Sequence, residues 1–498
     1  MSHLYFNTKI DHEIESYLLE NKKKHKVNIN GFDSTIYYDA LLWSNAIPVI
    51  QDGNKTLFVS GWFINSDYEL NNIQKLYNDL SSMTIKDVVD NIIAGIFIAG
   101  YFDGENLSIF CDPFGLTPHY YCCNGDLIIS PSIMDINKEK VVKKDLDIFL
   151  QQQGHLFSKY TKYDNIFKFI PGDHITIAKG NIKYTNNGFN INTNNHSVSD
   201  VLDLSDKIIK CFPQDSLSVA LSAGFDSRLI FLSSEAKYTY TWGQNSSLDV
   251  INARALAKKS GAQHLKFDFR ENKVSPLSEY VCNYLFDGSV LNYNPQFIEN
   301  YRYVSNASCE KNIALDGYLG DVLQRGVYMT HAGKKGEILK LFPFVSEYFL
   351  DSGSLLNSRY HKVSENLKDL LFEEFEEKTK NVLNVDELQK VTYFEFLYGR
   401  GLRYITTASI YMNSLHKTIV PVFASRYIFS VLVTQSSKDT LRYKTFIKIW
   451  NSAPKYERGM KSEGFYSPAT SRPLIPILNL IGRISTNFIP KYMNYTKK

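Results

Sequence analysis

Short apolar or alternating runs dominate the first third of the chain. TLFVSGWFI, AGIFIAGYF and LSIFCDPFG are broken by Gly, Asn or Asp, and this rhythm predicts a β-rich region. The stretch from Thr185 to Ser199, TNNGFNINTNNHSVS, is mostly Asn, Thr, Ser and Gly. It carries too little apolar surface to hold itself in a core and is expected to be a linker. Beyond it the pattern changes. SLSVALSAGFDSRLIFLSSE reads as a buried strand, a turn of small residues and a helix start. YTYTWG is a second strand, DVINARALAKKSGAQH a helix with Gly261 just past its end, and LKFDF a third strand. Strand and helix alternating at this interval predict a doubly wound, mostly parallel sheet. From Val363 to Ile449 the period is mainly helical, with LKDLLFEEFEEKTKNVL the clearest amphipathic piece and its EEFEE run a solvated face. No internal repeat is present.

A chain of 498 residues gives room for two or three domains at the usual ~150 residues each. The change of pattern places an α+β domain at 1–190 and an α/β domain at 200–498. Hydrophobic residues make up 44% and aromatics 14%, which excludes a disordered or fibrous protein. Lys and Arg number 55 against 52 Asp and Glu, so nothing favours a nucleic-acid-coating protein. Six cysteines without a CxxC pair give neither a disulfide framework nor a zinc site. The N-terminus, MSHLYFNTKIDHE, is charged where a signal peptide needs an apolar run, and no uncharged apolar stretch reaches the ~18 residues of a membrane-spanning helix. A cytoplasmic location is therefore expected. Residues 472–492 are apolar, with Arg483 and Lys491 interspersed and three prolines. Packing onto the body of the protein is the expectation there, ahead of a membrane surface or a partner.

The strongest chemical signal is Ser222-Ala223-Gly224-Phe225-Asp226-Ser227, between the strand SLSVAL and the helix RLIFLSS. A tight turn of small residues entering a helix points backbone N–H groups at one spot, and the helix dipole adds partial positive charge there. Phosphate oxygens suit such a turn. Ser222 and Ser227 can add hydroxyl donors, and Asp226 can hold a Mg²⁺ that neutralises the phosphates. The GK[ST] of a Walker loop is missing, which argues against a kinase or GTPase.

This segment resembles the SGGxDS pyrophosphate loop of the ATP-pyrophosphatase superfamily, with Ala223 in place of the first Gly. Within that superfamily the chain resembles the asparagine synthetase family. Trp242-Gly243, Ser247, Asp249, Ala253, Ala257, Gly261 and His264 follow the family's second strand and helix, and Asp316-Gly317-Tyr318-Leu319-Gly320-Asp321 stands where the family has SGEGxDE. Pro421-Val422-Phe423 is similar to its PFLD segment, Lys444 with Ile447 and Lys448 to KxxLR, and KSEGF (461–465) to RxKxGF. In the N-terminal third, SGWFINSDYEL resembles NGEIYNxxEL, and CDPFGLTPHYY (111–121) resembles RDPFGxKPLYY.

The resemblance implies a fold and a set of roles. The fold would be an N-terminal Ntn-hydrolase-like, glutaminase-type β-sandwich followed by an ATP-pyrophosphatase domain with a helical C-terminal part. Ser222, Gly224, Asp226 and Ser227 would cradle the pyrophosphate end of ATP, while Leu221, Trp242 and the backbone at Asp316 and Gly317 would hold the adenosine. Asp226 and Asp321 would be the Mg²⁺ carboxylates, and Lys444 would stabilise charge on the acyl-adenylate and its tetrahedral intermediate. A carboxylate would then attack the α-phosphorus of ATP, and an amine the activated acyl carbon.

Two departures shape this expectation. Glutamine-dependent members use an N-terminal Cys as nucleophile. Here residue 2 is Ser, the first Cys is Cys111 within the DPFG-like strand, and Ser60 replaces the oxyanion-hole Asn. The first domain is thus expected to be a scaffold without glutaminase activity, leaving ammonia or a substrate amine as nucleophile. The second departure is Tyr318 in place of Glu. At that position the chain is similar to the glutaminase-deficient β-lactam and carbapenam synthetases, where a Tyr paired with a Glu takes the proton of the attacking amine. Tyr318 is the candidate base and Glu395 its candidate partner. Lasso-peptide cyclases share the loss of glutaminase, and GRGLRY resembles asparagine-synthase-like proteins of surface-polysaccharide pathways, so small-molecule and peptide substrates both stay open. The competing readings are an asparagine synthetase proper and a non-catalytic nucleotide-binding scaffold. Oligomeric state is left open.

Overall fold

The computed structural model describes residues 3–29, 31–123, 125–267, 273–291, 294–308, 311–332, 342–414, 417–462 and 464–488. Twelve strands precede residue 190 among these: β1 (His3–Phe6), β2 (Lys23–Ile29), β3 (Phe32–Tyr38), β4 (Val49–Asp52), β5 (Lys55–Asn65), β6 (Ile92–Phe102), β7 (Asn106–Cys111), β8 (Tyr120–Cys122), β9 (Ile128–Ser130), β10 (Ile166–Lys168), β11 (Asp173–Ala178) and β12 (Asn181–Asn186). They form two antiparallel six-stranded sheets, ordered β10-β8-β9-β1-β3-β2 and β12-β11-β7-β6-β5-β4. The sheets pack face to face through Leu4, Phe6 and Ile36 of the first and Phe58, Ile98 and Ile109 of the second. Strand β6, IIAGIFIAGYF, is buried along its whole length. Its other face meets a second core, which is why the sequence there is a continuous apolar run rather than a strict alternation.

The second part carries β13 (Leu217–Ala220), β14 (Tyr238–Trp242), β15 (Gln263–Phe267), β16 (Ile313–Asp316) and β17 (Thr418–Pro421), all parallel in the order β15-β14-β13-β16-β17. The molecule is therefore mixed α/β, with antiparallel sheets followed by a parallel one. The order reverses between β13 and β16, and the loops leaving their carboxyl ends open a crevice at that point.

Both parts share buried surface. Phe114 of the first lies against Phe189, Phe396 and Phe429 at 4.8, 6.1 and 5.6 Å between ring centres. Buried Arg426 donates to the carbonyls of Val89, Ile92 and Asn190. Arg403 donates to those of Ser158 and Tyr160.

The stretch from Thr185 to Ser199 is not the free linker its composition suggested. Phe189 and Val198 are buried, and Asn192 N–H donates to Ser430 Oγ at 3.0 Å. A few apolar residues in a polar run suffice to anchor it against the helix Arg426–Val433. The C-terminal segment is helical. Pro476 stands in the first turn of the helix Ile475–Phe488, where its missing N–H removes no bond. The helix docks through buried Ile475 and leaves Leu474, Ile477 and Ile481 half exposed. Among the described residues no helix is long and apolar enough to cross a membrane.

Candidate active site

Strand β13 ends at Ala220, and the chain turns from Leu221 through Ser222 to Gly224 into the helix Phe225–Leu232. Small residues are required by what lies inside the turn. Ser222 N–H donates to Ser227 Oγ at 3.1 Å, the two serine hydroxyls are 2.9 Å apart, and Gly224 N–H donates to Ser222 Oγ at 3.0 Å. Asp249, on the next helix, accepts the Ala223 N–H at 2.7 Å and fixes the loop from outside. Phe225 anchors the helix start by packing on Phe446, Tyr466 and the Arg228 guanidinium, 4.8, 5.2 and 4.5 Å from its ring centre.

Across the crevice, β16 delivers Asp316 and the turn Gly317 to Gly320. A Cβ on Gly317 would fall 2.9 Å from the backbone of Asp226, and one on Gly320 2.8 Å from its carboxylate oxygen. Only glycine permits this approach. Leu319, where the resembled family has Gly, adopts the left-handed region at φ 64°. A side chain there is strained by about 1–2 kcal/mol and is retained at a position that lines the crevice.

The two loops enclose a cavity of about 400 Å³. It brings together Leu221, Ser222, Gly224, Asp226, Ser227, Trp242, Asp316, Gly317, Tyr318 and Asp321 from three separate segments. Sequence reasoning missed the other walls, Tyr240, Tyr301 and Asn413, and the role of Asp249. Only Tyr240 and Asp249 stood within patterned segments. Tyr301 and Asn413 come from the helices Gln296–Ala307 and Thr407–Ser414, whose sequences give no local sign of a site.

Two carboxylates flank the phosphate-type turn. Asp226 is partly buried, accepts from Gln324 Nε2 at 2.9 Å, and is pushed well above the usual carboxylate range by burial and then by the neighbouring charge of Asp321. Arg325 approaches Asp321 at 3.8 Å and donates to Tyr466 Oη at 2.9 Å. Two such carboxylates beside a phosphate turn fit Mg²⁺, which takes one or two carboxylates and completes its shell with phosphate oxygens and water. Asp316 is buried as well. Its carboxyl accepts the Tyr318 N–H at 2.9 Å and burial raises it to about 7.

Tyr318 lines the cavity with its phenol beside the hydroxyls of Tyr301 and Ser409. Burial and the charge of Asp316 push it up to about 12, so it stays protonated at neutral pH and can pass a proton on only as it gains one. Glu395 is not its partner. That carboxylate is fully buried elsewhere, 3.6 Å from Arg359 and accepting the Arg400 N–H at 2.9 Å. Lys444 is likewise outside the cavity. It begins the helix Lys444–Trp450, and its ammonium is half exposed in an ion pair with Asp439 at 2.6 Å. The buried face of that helix reaches the site instead, where Trp450 Nε1 donates to Gln324 Oε1 at 3.4 Å.

In the first part, Ser60 is fully buried. Its hydroxyl accepts from His3 N–H at 2.8 Å and donates to the Tyr37 carbonyl at 3.1 Å, so it faces no substrate. Cys111 is a core residue whose thiol is pushed up by burial. Ser2 lies outside the described residues.

No protein-family model matches the chain, and no curated protein matches it. Solved structures similar to part of it include the following two. One is an allosteric regulatory enzyme of purine biosynthesis, at 11% identity over 56% of this chain and 74% of that one, with a TM-score of 0.22. The other is a glutamine phosphoribosylpyrophosphate amidotransferase from B. subtilis complexed with ADP and GMP, at 10% identity over 57% and 76%, with a TM-score of 0.21. At that level of likeness neither activity nor substrate transfers to this chain.

Proposed function

We propose that the protein is an ATP-dependent ligase that adenylates a carboxylate, releasing pyrophosphate, and joins it to an amine or to ammonia, releasing AMP. The observation that carries this reading is the single cavity in which the Ser222–Ser227 turn, Asp226, Asp321 and the aromatic wall of Trp242 meet. Ser222 and Ser227 would donate to the terminal phosphates at the helix N-terminus. Asp226 and Asp321 would hold Mg²⁺, which when bound neutralises phosphate charge and orients the leaving pyrophosphate. Trp242 and the Asp316–Gly317 backbone would receive the nucleoside. The acyl carboxylate attacks the α-phosphorus, the bond to the bridging oxygen breaks, and the amine then displaces AMP from the acyl carbon while Tyr318 relays a proton. The first part of the chain would be an amidotransferase-type scaffold without glutaminase activity, consistent with Ser60 being held inside the core.

Isotope exchange between pyrophosphate and ATP tests the first half-reaction. Exchange that depends on one member of a panel of carboxylates, and is lost in Asp226→Asn, is the expected result. Exchange of labelled ADP into ATP, or pyrophosphate exchange indifferent to every carboxylate while ATP is bound, would contradict it.

A further inference from the structure

The wall of the cavity made by Asp316 and the surrounding rings has a chemistry of its own. Asp316 is a carboxyl with 7% exposure, and no Lys, Arg or His pairs with it among the described residues. Its one recorded hydrogen bond there is the Tyr318 N–H. Its charge is felt by the phenols of Tyr240, Tyr301 and Tyr318, and all three line the same cavity. The Trp242 ring stands edge-on to Tyr301, 5.9 Å between centres. Tyr240 is buried, and its hydroxyl makes no hydrogen bond of good geometry although the Asn413 side chain lies beside it.

A buried acid without a counter-cation, walled by electron-rich rings, is the arrangement that recognises an organic cation. We infer that this wall of the cavity binds the amine substrate as its ammonium ion, through the Asp316 side chain and the rings of Tyr240, Tyr301 and Tyr318. The inference rests on the ligase reading and names the class of its second substrate: a primary alkylamine rather than ammonia. The placement also suits the chemistry. An amine arrives protonated at neutral pH, and the Tyr318 phenol adjoins the carboxylate that would hold it. The ammonium can pass its proton to the Asp316 carboxylate that holds it, leaving Asp316 as the neutral acid, so that the neutral amine attacks.

The probe is n-butylammonium, titrated calorimetrically into the full chain with and without Mg²⁺ and α,β-methylene-ATP. Uncharged n-butanol serves as the isosteric control. The expected result is saturable binding of butylammonium, none of butanol, and a loss of butylammonium binding of about tenfold or more in Asp316→Asn. Tyr240→Phe, which keeps the ring, should retain binding. Equal binding of butylammonium to wild type and Asp316→Asn, or no binding to either, overturns the inference. So does an Asp316→Asn variant that loses the nucleotide analogue instead, which would assign the carboxylate to ribose hydroxyls. Asp316-dependent binding of butylammonium in a protein that binds no nucleotide would uphold the cation site and defeat the ligase reading.

Discussion

The Asp226 carboxylate sits where a charge is hardest to keep, partly buried beneath Gly320 and beside Asp321. A divalent cation is what would make its ionised form favourable. Affinity for Mg²⁺ and an ATP analogue is therefore expected to rise with pH between about 6 and 8 as that carboxyl loses its proton. Asp226→Asn should bind the analogue at least tenfold more weakly in Mg²⁺ and lose most of the metal dependence. Titration calorimetry across that range checks both. Asp316 gives a separate signature. Its folded-state value of about 7 lies above the ordinary carboxylate value, so the folded chain holds a proton that the unfolded chain has lost, and stability falls as pH rises from about 4 to 7. Denaturant titrations of the ligand-free protein at both ends of that window should show Asp316→Asn losing about 1–3 kcal/mol less than wild type. Lys444 is the contrast. Its exposed pair with Asp439 is worth at most about 1 kcal/mol, so Lys444→Met should change stability and nucleotide affinity little. A tenfold loss of nucleotide affinity in that variant would mean the ammonium reaches the phosphates.

Elements, rather than single side chains, decide how closely the two loops meet. Gly320 begins the helix Gly320–Arg325, and an added methyl would strike Phe423 as well as Asp226. Gly320→Ala is expected to cost about 1–3 kcal/mol and to weaken Mg²⁺-dependent nucleotide binding, both readable from denaturation and calorimetry. The C-terminal helix gives a second check. Ile475→Ala should cost about 2–5 kcal/mol, whereas Ile477→Ala on its open face should stay within about 0.5 kcal/mol. At this scale the sequence was informative where a signal is local. The strand, small-residue turn and helix around Ser222 sit together in the chain, and so does the Asp316 to Asp321 loop. Tyr301 and Asn413 were not legible, because each reaches the site through packing of distant helices that carry no motif, and Gln324 and Arg325 because they stand one turn beyond the Asp316 to Asp321 loop, outside its pattern. Glu395 and Lys444 failed for the converse reason. Each was read from its place in an order of motifs, which says nothing of where a side chain turns. Phe189 was hidden in a polar run whose composition masks one deeply anchored ring.

At the scale of the molecule, the parallel sheet and the antiparallel sandwich share a core through Phe114, Phe189, Phe396 and Phe429. This arrangement puts the helices that supply Tyr301 and Asn413 against the first part of the chain, where Tyr411 Oη donates to the Pro118 carbonyl at 2.8 Å. The sandwich thereby supports the far wall of the cavity. The order of sheets could be read in advance from the change of rhythm near residue 200, but their contact could not, since it is made by residues apolar for either partner. The central claim is that the cavity activates a carboxylate by cleaving ATP between its α- and β-phosphates. The most direct measurement identifies the nucleotide products formed by the purified protein from α-labelled ATP, Mg²⁺, a carboxylate panel and butylamine. The account predicts AMP and pyrophosphate in step with amide, abolished in Asp226→Asn. ADP and phosphate as the products would contradict it.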